Sequence, residues 1–321
     1  MSIKIIKDQS DARLDIVFVH GLRASQEHWT TENSVFWPEK ILPGHISNAR
    51  LLAFEYEDAT VDSFWNEEDL ISDISDDLLS ELMAERRGDK VHIKSYKFVD
   101  KCYMILTDYR LLHQAERPII FIAHCLGGLV CENALIRGAN HEKRKQLVNS
   151  VVGVVLLGTP HFQPGTINEA AKFFQLSNEE IPSSSDLQAK SKFVLKIPQE
   201  FAKFRQGAQV KLETFYEGSP TKVNDGEVKI VDLAVAKFTD DSPPTRLAGN
   251  HHQMSRFDSE KDKDFKKVCR VLEDWVEDLP EPEEKGTVNN ISNASFAGSN
   301  NYGYQLGQNT GNQTGFTFGA R

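Results

Sequence analysis

Six short runs of the chain read as strands, several of them apolar almost throughout: LDIVFVH (14–20), ARLLAFEY (49–56), PIIFIAH (118–124), VVGVVLLG (151–158), VKLETFYE (210–217) and EVKIVD (227–232). Strands buried on both faces read this way, and their alternation with helical patterns predicts an α/β fold with a mostly parallel sheet flanked by helices. Between the second and third runs, residues 67–87 place Leu70, Ile71, Ile74, Leu78, Leu79, Leu82 and Met83 on one helical face. Acidic Glu67, Glu68 and Asp69 open that helix, Arg86 and Arg87 close it and Gly88 follows, matching the helix dipole and a C-terminal stop. A last helix is predicted over 259–276, with Phe265, Val268, Leu272, Trp275 and Val276 on one face. Residues 166–206 are also helical in pattern, and they interrupt the strand series as a cap over the sheet would.

The pattern changes abruptly at LPEPEEKG (279–286). Prolines and glutamates there predict an extended linker. Three segments follow from this: a folded domain over 1–279, a linker over 280–295 and a Gly/Asn/Gln-rich module over 296–321. In the module, glycines recur at 303, 307, 311, 315 and 319, every fourth residue. With a period of two, Tyr302, Tyr304, Leu306, Phe316 and Phe318 share one face with polar residues, and glycine alternates with Asn, Gln and Thr on the other. One such strand has too little to bury and stays disordered alone, but stacked in register it would form amide and aromatic ladders. A GxxxG membrane-dimer reading fails because the segment is polar.

Composition narrows the classes. A net charge of −10 with no basic block argues against nucleic-acid binding, which concentrates Lys and Arg on one face. The N-terminus MSIKIIKDQS lacks the apolar core of a signal peptide, and the apolar runs are too short to span a bilayer. Cys102, Cys125, Cys131 and Cys269 are scattered without CxxC spacing and read as reduced thiols, so a cytoplasmic location is expected.

The candidate chemistry centres on FIAHCLGGLV (121–130), an apolar strand that turns into a helix around Cys125. A nucleophile elbow needs small residues two before and two after the nucleophile, here Ala123 and Gly127, with Gly128 next. The following helix would aim its N-terminus at Cys125, lower the thiol pKa and offer the Leu126 N–H to an oxyanion. The His-Gly turn in FVHGLRAS (18–25) can supply a second N–H, from Leu22. In the order nucleophile, acid, base, Glu217 after FYE is the first choice of acid, with Asp232 behind it. The base falls in NHHQMSRFDS (250–259), which offers His251 and His252. No metal-ligand cluster or phosphate loop is legible, so no cofactor is implied.

Taken together, FVHGL with Trp29, FWPEKILP, ARLLAFEYEDA, FIAHCLGGLV, VVLLGTPH, FYEGSPT and NHHQMSRF resemble, in order, an α/β-hydrolase of the fungal lipase-like kind related to SERAC/PGAP-type serine esterases. The resemblance covers about residues 14 to 277 and implies an α/β-hydrolase fold with a helical cap. It selects His251 and Glu217, places Asn250 where the family has Asp, and places Cys125 where the family has the nucleophilic Ser. The implied activity is acyl transfer on an ester or lipid substrate: Cys125 attacks, His251 moves the proton, Glu217 orients it, and Leu22 and Leu126 hold the oxyanion. A thioesterase or acyltransferase, and a hydrolase scaffold kept only for signalling, are the alternatives.

The tail is similar to the sigma-type amyloid-signalling motifs of SesB-like fungal proteins, which act in cell death and incompatibility. That resemblance implies self-assembly through residues 296–319 and templating by an NLR-type receptor carrying a matching motif, with peripheral membrane contact as a further expectation.

Overall fold

The computed structural model describes residues 1–280 apart from 10–11, 23–24, 58, 67, 88–116, 225 and 239–242. The linker beyond Pro280, the Gly/Asn/Gln-rich module at 296–321 and Cys102 lie outside the described residues. The central sheet takes up β1 (Ser2–Lys7), β2 (Leu14–Val19), β3 (Ala49–Glu55), β4 (Ile119–His124), β5 (Val151–Leu157), β6 (Lys211–Tyr216) and β9 (Thr245–Arg246). Their order across it is β1-β3-β2-β4-β5-β6-β9. Only β1 runs antiparallel, against β3; every other pair is parallel.

Every residue of β2 and of β4 is buried. Helices on both faces of the sheet remove these strands from water, which is why their sequences are apolar rather than alternating. One flanking helix, α1 (Glu68–Arg87), buries Ile71, Ile74, Leu78, Leu79 and Leu82. It packs on α2 (Gly127–Ala139), where Ser75 donates to the Val130 carbonyl at 3.1 Å and accepts from Asn133 at 3.1 Å. The predicted cap comprises α3 (Ala171–Ser177), α4 (Ser184–Lys190) and α5 (Lys192–Gly207). The last helix, α6 (Lys263–Glu277), starts four residues later than the pattern suggested, because Asp262 accepts from the Asp264 and Phe265 amides as its N-cap.

Three expectations about the sheet are corrected. The run at 227–232 does not join it: β8 (Gly226–Val228) pairs only with β7 (Thr221–Val223) in a separate hairpin. Beyond that hairpin, Ile230 and Val231 are buried as irregular chain. The two sheet edges, β1 and the two-residue β9, were not anticipated.

The chain leaves β2 for β3 on one side and returns to β4 on the other. That reversal opens a crevice beyond the carboxyl ends of β2 and β4, where ligands of open α/β sheets bind. The whole arrangement belongs to one compact unit, Met1–Asp278.

Candidate active site

β4 ends at His124, α2 begins at Gly127, and Cys125 between them has φ of 56°. Non-glycine residues adopt this left-handed conformation rarely and at a cost of about 1–3 kcal/mol, so the surroundings must hold it. The Cys125 amide donates to the Leu157 carbonyl of β5 at 2.9 Å, and the Cys125 carbonyl accepts from the Gly128 amide at 3.2 Å. Space is as tight as the hydrogen bonding. A methyl group on Gly127 would overlap the His20 carbonyl, and one on Gly21 would stand 2.7 Å from Cys125 Cβ. Gly127→Ala is therefore expected to destabilise the fold by about 3 kcal/mol, the upper end of overpacking costs, because backbone rather than a movable side chain blocks the methyl. Urea denaturation checks this.

The turn after β2 is fixed by Tyr56. Its hydroxyl faces the carbonyl oxygens of His20 at 2.5 Å and Gly21 at 2.8 Å, and its ring stacks on the His20 imidazole at 4.0 Å. The imidazole donates from Nδ1 to the Gly21 carbonyl at 2.9 Å, leaving Nε2 to accept from the Tyr56 amide at 3.3 Å. Tyr56 thus aims the segment carrying Leu22, which lines a cavity of about 160 Å³ together with Cys125, His124, His251, His252 and His28. From the cap, Leu176 and Ser177 complete part of its wall.

Glu217 and His251 come together behind Cys125. Glu217 follows β6 and is fully buried, and its Oε1 stands 3.9 Å from His251 Nδ1. It accepts from the Val231 amide and, at 3.2 Å, from the Thr221 hydroxyl. Thr221 also accepts from the His251 amide at 3.0 Å, so one hydroxyl ties the carboxylate to the backbone of the imidazole. Thr221→Val keeps the shape and removes both bonds, leaving a buried amide and carboxylate oxygen short of a partner. A loss of about 1–3 kcal/mol is expected in thermal or urea unfolding.

Asp232 is used elsewhere. It caps the short turn Leu233–Ala236 by accepting from the Ala234 and Val235 amides at 2.9 and 3.2 Å, and lies 3.7 Å from Lys172. Asn250 is likewise a local cap, its Oδ1 accepting from the His252 and Gln253 amides at 3.1 and 3.0 Å. His252 lines the cavity beside His251.

Sequence reasoning missed Thr221, Tyr56 and His124. The His124 Nε2 donates to the His251 carbonyl at 2.8 Å, joining the elbow to the loop that carries His251. Its place directly before Cys125 was the only signal, and nothing in the pattern told it from a strand residue.

The electrostatics overturn one expectation. Burial pushes the Cys125 thiol up to about 12; the Leu126 N–H acts against this, and the Glu217 charge adds to it. Desolvation therefore outweighs the helix N-terminus, and the thiol is neutral at pH 7. Burial, then the neighbouring His252 and His28, pushes His251 down to about 3, while burial raises Glu217 to about 7 against its hydrogen bonds. Among the described residues, neither ring nitrogen of His251 has a hydrogen-bond partner. The site thus pairs a neutral sulfur with a neutral base, rather than a preformed thiolate–imidazolium pair.

A mostly parallel sheet flanked by helices, with a strained elbow at the switch point between β2 and β4, defines an α/β-hydrolase fold. Residues 288–315 match the family described as SesB domain on fungal death-pathway protein. The chain is similar to Protein SERAC1 of Danio rerio, 24% identical over 166 residues, covering 46% of this chain and 22% of that protein. It is also similar to Protein SERAC1 of Mus musculus, 25% identical over 171 residues with the same shares, so it spans about a fifth of these curated relatives. Among solved structures, a lipase-esterase related protein from Clostridium acetobutylicum aligns with TM-score 0.44 and 9% identity over 85% of this chain and 98% of that one. A Bacillus licheniformis lipase aligns with TM-score 0.40 and 17% identity over 81% and 92%. Among the described residues, no helix is long and apolar enough to cross a membrane.

Proposed function

We propose that this chain is a carboxylic-ester hydrolase with Cys125 as nucleophile, acting as a cell-death or incompatibility effector set off by templated assembly of its tail. The observation that carries the catalytic half is the left-handed backbone at Cys125, which projects a side chain into the same cavity that His251 lines. His251 takes the thiol proton as the sulfur attacks an ester carbonyl, and Glu217 stabilises the imidazolium that forms. The Leu126 N–H, with that of Leu22 across the cavity, receives the oxyanion. The alcohol leaves with the proton from His251, and water then releases the acid from the thioester. The expected location is cytoplasmic, with an NLR-type receptor as the templating partner and a lipid ester as the substrate class.

The match at 288–315 and the four-residue glycine period at 303–319 support the triggering half. Peptide 296–319 is expected to form fibres with cross-β diffraction; a peptide that stays soluble sinks that half. One observation favours a second reading, a catalytically silent signalling module: Glu217 stands 3.9 Å from the imidazole, beyond a hydrogen bond. A chain-length series of oxygen esters and acyl-thioesters decides between them. Turnover in either series supports catalysis, and a thioester preference marks a thioesterase.

A further inference from the structure

Away from the crevice, three side chains of different chemistry converge on one point. His45 follows the turn Leu42–Gly44, while Cys269 and Glu273 stand one helical turn apart on α6. Glu273 Oε1 lies 3.1 Å from His45 Nδ1 and 3.5 Å from Cys269 Sγ, and all three donor atoms fall within 4.8 Å of one another. Bonds of about 2.0–2.3 Å to a tetrahedral zinc ion place its ligand atoms about 3.3–3.8 Å apart. Two of the three edges are already near that length. A surface ion pair between His45 and Glu273 would need no thiol, yet Cys269, buried to 3% exposure, turns its sulfur toward the same oxygen.

We infer that His45, Cys269 and Glu273 form a binding site for a borderline d-block dication, Zn²⁺ being the natural choice. Sulfur, imidazole nitrogen and a single carboxylate favour such an ion over Mg²⁺ or Ca²⁺, which take oxygen ligands. Binding exchanges the Cys269 proton, released to solvent, for a metal–sulfur bond. The thiolate and carboxylate then balance the two positive charges, and neutral His45 completes three protein ligands, so a half-buried site carries no net charge. His45 and Glu273 remain partly open to solvent, which leaves the fourth position to water. The ion would fasten His45 to Cys269 and Glu273 of α6, 224 and 228 residues later in sequence, and so stiffen the folded domain. This site is independent of the reaction proposed for the crevice.

Titrating the full, reduced, metal-free chain with Co²⁺ is the test. A thiolate-to-cobalt absorption band is expected, displaced by Zn²⁺, lost in Cys269→Ser and retained in Cys125→Ala. His45→Ala and Glu273→Gln change solvent-facing side chains and leave the fold intact, and each is expected to weaken binding by about tenfold or more. Zn²⁺ should raise the Tm of the unsubstituted chain and not that of His45→Ala. A band that survives in Cys269→Ser, or equal affinity of the unsubstituted and His45→Ala chains, overturns the site.

Discussion

Cys125→Ala is expected to lower the rate of ester hydrolysis by about a thousandfold or more, because no other group reaches the carbonyl from the elbow. Cys125→Ser is expected to do the reverse of what a tuned thiol enzyme would show: it keeps turnover and removes the burst. The reason lies in the environment of the sulfur. Buried beside Glu217 and held up to about 12, the thiol gains little from its usual advantage, a thiolate present at neutral pH. Attack must instead be assisted by His251, whose neutral form persists down to about pH 3. Once the thioester forms, deacylation is expected to be the slow step, because water must reach an acyl group held on a buried sulfur. Pre-steady-state ester cleavage should show an initial burst with the Cys form and linear release with the Ser form. The pH dependence follows from Glu217: its carboxylate, raised to about 7, supports the imidazolium only when ionised, so acylation should rise as pH passes through 7. A Cys125→Ala form as active as the parent removes the nucleophile assignment.

The second large effect is on stability. Asp15→Ala should cost about 3–5 kcal/mol, because it removes the carboxylate that three buried guanidinium groups share and leaves Glu85, 3.5 Å from Arg50, as the carboxylate beside them. Asp15 lies at the start of β2, fully buried, and accepts from Arg50 at 2.9 and 3.2 Å, from Arg86 at 2.5 Å and from Arg117 at 2.8 Å. Burial by itself would raise the Asp15 pKa, but the Arg50 hydrogen bond and the charges of Arg86, Arg50 and Arg117 outweigh it and hold the group below the ordinary carboxylate range. Its folded pKa is therefore depressed. The stability it confers is complete above the unfolded value and is lost as pH falls through the folded one. Asp76 is the control. It pairs with two arginines, at 2.5 Å with Arg137 and also with Arg144, but at the surface, and Asp76→Ala should cost about 1 kcal/mol or less. Urea midpoints that fall equally for both variants would contradict the burial argument.

What the sequence made legible follows from burial. β2, β3, β4 and β5 are covered on both faces, and only such strands write continuous apolar runs; each was found within a residue or two. β1 was overlooked because it is a half-exposed edge, with Ile5 at 47% exposure, Lys4 between two isoleucines and Lys7 at its end. Ile230 and Val231 look like strand for the opposite reason. They are fully buried, but the Val231 amide is turned to Glu217 instead of a neighbouring strand. At the site, residue types and spacing brought out Cys125 and Gly127, because an elbow tolerates few alternatives; they left Glu217 beside Asp232 and His251 beside His252, and the family resemblance chose between them. The bridging hydroxyl of Thr221 depends on how two loops meet and leaves no pattern. The direction of the Cys125 pKa shift was misjudged because a helix N-terminus is visible in sequence, whereas the depth of burial that outweighs it is not.

The central claim is that Cys125 accepts an acyl group with His251 as its base. Intact and peptide-level mass spectrometry of the full chain after exposure to an activated acyl ester tests it most directly. One acyl adduct is expected, located on Cys125 and formed about a hundredfold or more slowly in His251→Ala. An adduct spread over Cys102, Cys131 and Cys269 at similar rates, or one on Cys125 that forms equally fast without His251, would contradict it.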